Sequence, residues 1–216
     1  MSATERLRQE LRAARQAVEA CTGDLFEKYP LQEAAQDAEA RLERFIDASR
    51  IIPARYREAE LETPLPDGSL YLTGPAGTGK TFAAAATALD ALLANSRAVQ
   101  WINVPSLLAS IRASFNSGDA MPTPAEMVRD RDLVVIDDLG AERPTEWARE
   151  TLYGLINEAY EREVRVIITS NVPPAKLKDS LGDRVVSRLA EMCRVIPFTG
   201  PDRRRQTAAE RVKRDE

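Results

Sequence analysis

The run Gly74-Pro75-Ala76-Gly77-Thr78-Gly79-Lys80-Thr81 constrains the fold more than any other stretch of this chain. It fits G-x-x-x-x-G-K-[ST] at every fixed position, a phosphate-binding loop. Glycines let the backbone curl so that its N–H groups converge on a di- or triphosphate. Lys80 brings a cation to the β- and γ-phosphates, and the Thr81 hydroxyl can ligate Mg²⁺. A following helix adds its positive N-terminal end. The flanks agree: residues 69–73 read as a strand, and the run from Phe82 to Leu89 reads as a helix. Nucleotide contacts are expected over Gly74, Pro75, Ala76, Gly77, Thr78, Gly79, Lys80, Thr81 and Phe82, with ATP and Mg²⁺ as cofactors.

From residue 69 onward the pattern alternates strand and helix, which implies a parallel sheet covered on both faces. Strands are expected at 69–73, 98–102, 133–137, 164–169 and 194–198. Helices are expected at 79–95, 105–115, 145–162 and 183–192, with a loop over 116–128. Leu133-Val134-Val135-Ile136 and Val164 to Ile168 are nearly all apolar, as for strands buried on both sides.

The first 50 residues have a different texture. Leu7, Leu11, Ala14 and Val18 recur at helical spacing, as do Leu31, Ala35, Ala38, Leu42, Phe45 and Ile46. Thr22-Gly23-Asp24 and Tyr29-Pro30 punctuate them. Two amphipathic helices in an antiparallel hairpin are expected. Its thin apolar stripes suit either a cap packed on its own domain or a docking module. Residues 51–68 form a linker rich in proline, 69–200 the core, and 201–216 a basic tail.

Two sites of interest follow from strand ends. Leu133-Val134-Val135-Ile136-Asp137-Asp138 is an apolar strand tipped by two acids, and Asp137 suits the Mg²⁺ shell while Asp138 suits activation of a water. Ile167-Ile168-Thr169-Ser170-Asn171 is another such strand. Asn171 either opens the turn into Val172-Pro173-Pro174 or, if the strands are neighbours, holds the attacking water beside the γ-phosphate. Arg184 and Arg188 lie four apart on one helical face, as a solvated pair or as cations that reach a neighbouring subunit's phosphate.

Composition removes several chemistries. The chain has no histidine, and its two cysteines, Cys21 and Cys193, lie far apart. Zinc frameworks and His-based triads are thereby excluded, and a reducing cytoplasm is the expected location. A net charge of −4 advertises no bulk basic field, so any nucleic-acid contact must come from a local patch. Met1 to Leu25 is charged throughout, so no secretory leader is expected. No apolar run approaches the ~18 residues of a membrane span.

These parts in this order resemble the AAA+ ATPases, and more narrowly the bacterial and phage replicative helicase loaders of the DnaC/DnaI group and the related IstB-type transposition ATPases. The resemblance covers about 50–200. It rests on Ile52-Pro53-Ala54-Arg55-Tyr56, the loop Gly74 to Thr81, Val135-Ile136-Asp137-Asp138-Leu139-Gly140, Thr145-Glu146-Trp147, Ile168-Thr169-Ser170-Asn171 and Asp183-Arg184-Val185-Val186-Ser187-Arg188. It implies an α/β fold: a P-loop AAA+ core with a five-stranded parallel sheet, no C-terminal lid, and an N-terminal helical hairpin in front. It also implies that Asn171 is the sensor of phosphate loss and Arg188 the trans-acting finger, assisted by Arg184. Many relatives carry Glu where Asp138 stands; the shorter side chain implies slow turnover. The helix from Ser106 to Phe115 would line a channel for single-stranded DNA. There Arg112 suits a phosphate contact and Phe115 a stacking platform, although Phe115 equally suits a core position. The N-terminal helices would dock on a hexameric replicative helicase, and the subunits would self-associate with nucleotide in a ring or spiral.

The leading expectation is an ATP-dependent loader of a DnaB-type helicase onto single-stranded DNA. The first rival is an IstB-like ATPase that assists a transposase on duplex DNA. A small-molecule kinase shares the loop but has no need of Asp137-Asp138 with Asn171 and a trans arginine. A nucleotide-gated scaffold with negligible turnover is the remaining alternative.

Overall fold

The computed structural model describes residues 1–94, 98–117, 120–140 and 145–203. The tail expected over 201–216 lies outside these residues beyond Arg203. The chain divides into two compact units, one formed by Met1–Pro64 with Ala85–Arg97 and the other by Leu65–Ala84 with Ala98–Glu216.

In the first unit, α1 (Ala3–Ala20) and α2 (Leu25–Ser49) form the expected hairpin. Arg15 pairs with Glu39 at 2.7 Å and Arg41 with Glu10 at 3.1 Å, the pairing of antiparallel helices. Each helix starts at a side-chain cap: Ser2 accepts from the Glu5 N–H, and Asp24 accepts from those of Phe26 and Glu27. Pro30 does not interrupt α2. It stands in the second turn, where it removes one backbone bond close to a helix end already fixed by Asp24. Ile46, expected in the apolar stripe, is exposed instead, and Leu25, Phe26 and Tyr29 at the hairpin tip are exposed as well.

The second unit is built on a five-stranded sheet. Its strands are β1 (Ser69–Thr73), β2 (Val99–Asn103), β3 (Leu133–Asp137), β4 (Arg165–Ser170) and β5 (Cys193–Pro197). All pairings are parallel, in the order β2-β3-β4-β1-β5. The helices α3 (Lys80–Leu93), α4 (Val104–Ser117), α6 (Glu146–Glu161) and α8 (Asp183–Met192) fall where the apolar periodicity places them, within one or two residues at each end. The β3 strand is buried along its whole length, as its unbroken apolar run requires. No helix among the described residues is long and apolar enough to cross a membrane.

Residues 116–128 are not all loop. Pro124–Val128 forms the short helix α5. Thr123 and Glu126 close a capping box, and Pro124 occupies the first turn. Gly154 on α6 makes room for it, since a Cβ there would stand 3.1 Å from the Pro124 ring. Another short helix, α7 (Lys178–Leu181), follows a 3₁₀ turn at Pro174–Leu177.

Candidate active site

The order β3-β4-β1 brings the carboxyl ends of three strands side by side, the position at which open α/β sheets bind ligands. The β1 strand passes directly into the glycine-rich loop. Gly74, Gly77 and Gly79 take φ of 151°, 79° and 100°, a region that favours glycine. The Thr78 hydroxyl closes the loop on the Pro75 carbonyl at 2.9 Å. Side chains are excluded at two of these positions. A Cβ on Gly74 would overlap the Phe198 backbone, and one on Gly77 would overlap the Asp202 carboxylate. The loop therefore presents bare backbone ahead of the α3 N-terminus, a surface suited to a polyphosphate.

Lys80 is only 7 % exposed. Its ammonium donates to the Gly74 and Pro75 carbonyls at 2.7 Å each and to Asn171 Oδ1 at 2.9 Å. The strands are thus neighbours, as the reading of Asn171 requires: β4 lies beside β1, and its tip reaches the loop lysine. That tip is fixed from behind. Ser170 Oγ donates to the Leu139 carbonyl at 2.6 Å, and the Tyr71 hydroxyl donates to the Val172 carbonyl at 2.7 Å. Burial of Tyr71 pushes its pKa up to about 12, so it stays a donor.

The acids are organised by a residue that the strand pattern contains but does not single out. Thr169 Oγ1 donates to Asp137 Oδ1 at 2.8 Å and accepts from the Asp138 N–H at 2.9 Å. Asp137 is buried, and its Oδ2 accepts from Asn103 Nδ2 at 3.3 Å. Each carboxylate oxygen keeps a lone pair for a further ligand. Asp138 sits in the left-handed region at φ 65°, a conformation that costs a non-glycine residue about 1–3 kcal/mol. Asn103 also caps α4, since its Oδ1 accepts from Ser106 N and Oγ at 3.1 and 2.8 Å. A polar chain thus runs from the start of α4 to Asp137. The signal for Asn103 was a polar residue at the end of the strand Val99–Asn103, directly before a helix.

The donor set fits Mg²⁺, which takes one or two carboxylates and the substrate's phosphates rather than a protein cage. Asp137 supplies a carboxylate and the half-buried Thr81 a hydroxyl oxygen, and the described residues contain no cluster of three or more His, Cys, Asp or Glu.

The remaining candidates form two other clusters. On α4, Phe115 is 69 % exposed and so is not core. Its ring meets that of Trp147 edge to face at 6.0 Å, and the Arg112 guanidinium lies 5.7 Å over the same indole. On α8, Arg184 is exposed, whereas Arg188 is half-buried and engaged with the rings of Tyr153 and Tyr160. Arg188 is therefore not half of a simple solvated pair.

Comparison with known proteins follows the same lines. The sequence profile of the family described as IstB-like ATP binding protein matches residues 66–211. An IS21-like insertion-sequence ATP-binding protein of Bacteroides fragilis is 32 % identical over 143 residues, 64 % of this chain and 53 % of that protein. The replicative helicase loader DnaI of Bacillus subtilis (strain 168) is 29 % identical over 110 residues, 50 % of this chain and 35 % of the loader. The chain thus spans about half or less of these two relatives. The crystal structure of a DnaC helicase loader superposes with a TM-score of 0.58 at 24 % identity, covering 68 % of this chain and 100 % of that one, a likeness of fold.

Proposed function

The chain belongs to the IstB-like ATP-binding protein family of AAA+ ATPases, and from that premise we propose that it is a loader that uses ATP to place a hexameric replicative helicase on single-stranded DNA. The observation that carries the DNA half is the α4 cluster. An exposed Phe115 beside Trp147, with Arg112 next to both, offers π-faces to unpaired bases and a cation to the backbone between them. Bases stacked inside a duplex present no such faces.

For the nucleotide half, the backbone from Gly74 to Phe82 and Lys80 hold the phosphates of ATP, and Asn171 touches Lys80 where the γ-phosphate would lie. Asp138 orients the attacking water and accepts its proton, with Asn171 as a second contact to that water. Thr169 and Asn103 hold Asp137 in place. Thr81 and Asp137 would hold Mg²⁺, which when bound would supply neutralisation of the phosphate charge. Arg188, with Arg184 beside it, serves the site of a neighbouring subunit in a nucleotide-bound ring or spiral. Residues 1–50 form the segment that docks on the helicase, joined by 51–68 to the ATPase core at 69–200, and the assembly works in the cytoplasm.

A second reading has its own support. The matching family and the Bacteroides fragilis relative belong to insertion-sequence ATPases, so an ATPase that assists a transposase on duplex DNA is the alternative. Capture experiments separate the two. Immobilised chain with ATP and Mg²⁺ is offered the hexameric replicative helicase of its own host, and separately the transposase of a neighbouring insertion element. Retention of the helicase, lost when residues 1–50 are deleted, is the expected result. Retention of the transposase alone would overturn the loader reading.

A further inference from the structure

Arg188 projects from α8 into a notch on α6. Tyr153 and Tyr160 are seven residues apart on that helix, so their positions lie about 10.5 Å apart along its axis. The Arg188 guanidinium carbon is 5.4 Å from the Tyr153 ring centroid and 5.3 Å from that of Tyr160. It is therefore about equally close to the two aromatic groups. The register is set by packing: Val185 and Leu189 on α8, and Leu152, Leu155, Ile156 and Ala159 on α6, are buried in one core.

The guanidinium is held by aromatic rings and not by an ion pair among the described residues. Its one hydrogen bond is a long contact from Nη1 to the Arg184 carbonyl at 3.4 Å, and its Nε is buried with no partner among the described residues. None of its contacts among the described residues is an ion pair. A carboxylate in that notch would cancel the charge and occupy the planar donor fork. Aromatic faces attract a cation through the ring quadrupole and leave its N–H groups unspent. The Glu191 carboxylate beside the Tyr160 hydroxyl pushes that phenol's pKa up.

We propose that Tyr153 and Tyr160 are positioning residues for Arg188: together they hold its guanidinium in the pose from which it reaches the phosphates bound by a neighbouring subunit. The assignment rests on the reading of Arg188 as a trans-acting residue. It adds that the pose is set within the donor subunit before subunits meet, at a cost lower than ordering a free arginine at the moment of contact.

The test uses full-length chain at concentrations where ATP turnover rises on self-association. Tyr153→Leu and Tyr160→Leu keep apolar bulk and remove the π-faces. Each should lower association-stimulated kcat by roughly three- to thirtyfold, the span of one cation–π contact from exposed to partly desolvated sites. ATP KM and Kd should stay unchanged. Tyr153→Phe and Tyr160→Phe retain the face and should stay within about threefold of wild type. Mixing assigns the defect to a side of the junction. Tyr153→Leu mixed with Lys80→Ala should regain activity, because one partner supplies an intact nucleotide site and the other an intact arginine. Tyr153→Leu mixed with Arg188→Ala should not, since both are damaged on the donor side. Wild-type kcat in both Leu variants, alongside a defective Arg188→Ala, would overturn the tyrosine role and leave the trans arginine standing. So would rescue of Tyr153→Leu by Arg188→Ala. Full stimulated turnover in Arg188→Ala itself would instead remove the reading beneath it.

Discussion

Thr169 shows how much of the site depends on one hydroxyl. It donates to one acid and receives the N–H of the next, so it sets both the Asp137 carboxylate and the unusual backbone of Asp138. Thr169→Val keeps the shape and deletes both bonds. The stability loss expected from unpaired groups at this partly buried junction is about 1–3 kcal/mol, read from the denaturant midpoint. ATP turnover should fall at least as far, while Thr169→Ser restores both. A Val variant with wild-type stability and turnover would show that the acids are held by something else. Two further substitutions separate binding from chemistry. Lys80→Ala removes charge-assisted contacts worth about 1.5–3 kcal/mol each, so ATP affinity should fall at least tenfold. Asp138→Asn should keep Mg-ATP and lose about 10²–10⁴ in turnover, the range for a positioned base. Normal hydrolysis in the Asn variant would move water activation to another residue.

At the scale of elements, α4 joins the DNA reading to the nucleotide site, because Asn103 both caps it and bonds Asp137. Phe115→Ala should cost single-strand binding roughly 1–3 kcal/mol per stacked base, with little sequence preference. Arg112→Ala should reduce the slope of log affinity against log salt by about 0.7, the single-strand value for one phosphate contact. Unchanged single-strand binding in both variants would detach α4 from DNA. What was legible in the sequence follows from the range of the forces involved. An unbroken apolar run ending in Asp137 and a nearly apolar one with the polar tip Thr169-Ser170-Asn171 placed β3 and β4, and a glycine pattern placed the loop, because those requirements are local. The α5 helix has only a local signal: Thr123, Pro124 and Glu126 spell a capped start, and its five residues are too short to show a period. Pro30 misled as punctuation because the Asp24 cap outweighs one lost bond. Thr169 as a tie, Trp147 against Phe115, and the tyrosines around Arg188 arise from residues far apart in sequence. No spacing rule announces such pairs before the helices are packed.

At the scale of the whole molecule, a net charge of −4 provides no bulk attraction for DNA. The α4 cluster of one subunit holds Arg112, Phe115 and Trp147, so the proposed loader would need several copies aligned by ATP, at junctions completed by Arg188, to hold a strand. DNA binding should therefore require nucleotide and self-association, and should prefer unpaired bases. The most direct measurement is the affinity of the wild-type chain for one oligonucleotide, single-stranded and as a duplex, with Mg-ATP and without nucleotide, at one fixed salt concentration. The predicted result is at least tenfold tighter binding of the single strand, present with Mg-ATP and absent without nucleotide. Equal or tighter binding of the duplex in Mg-ATP would contradict the loader and favour the transposition ATPase.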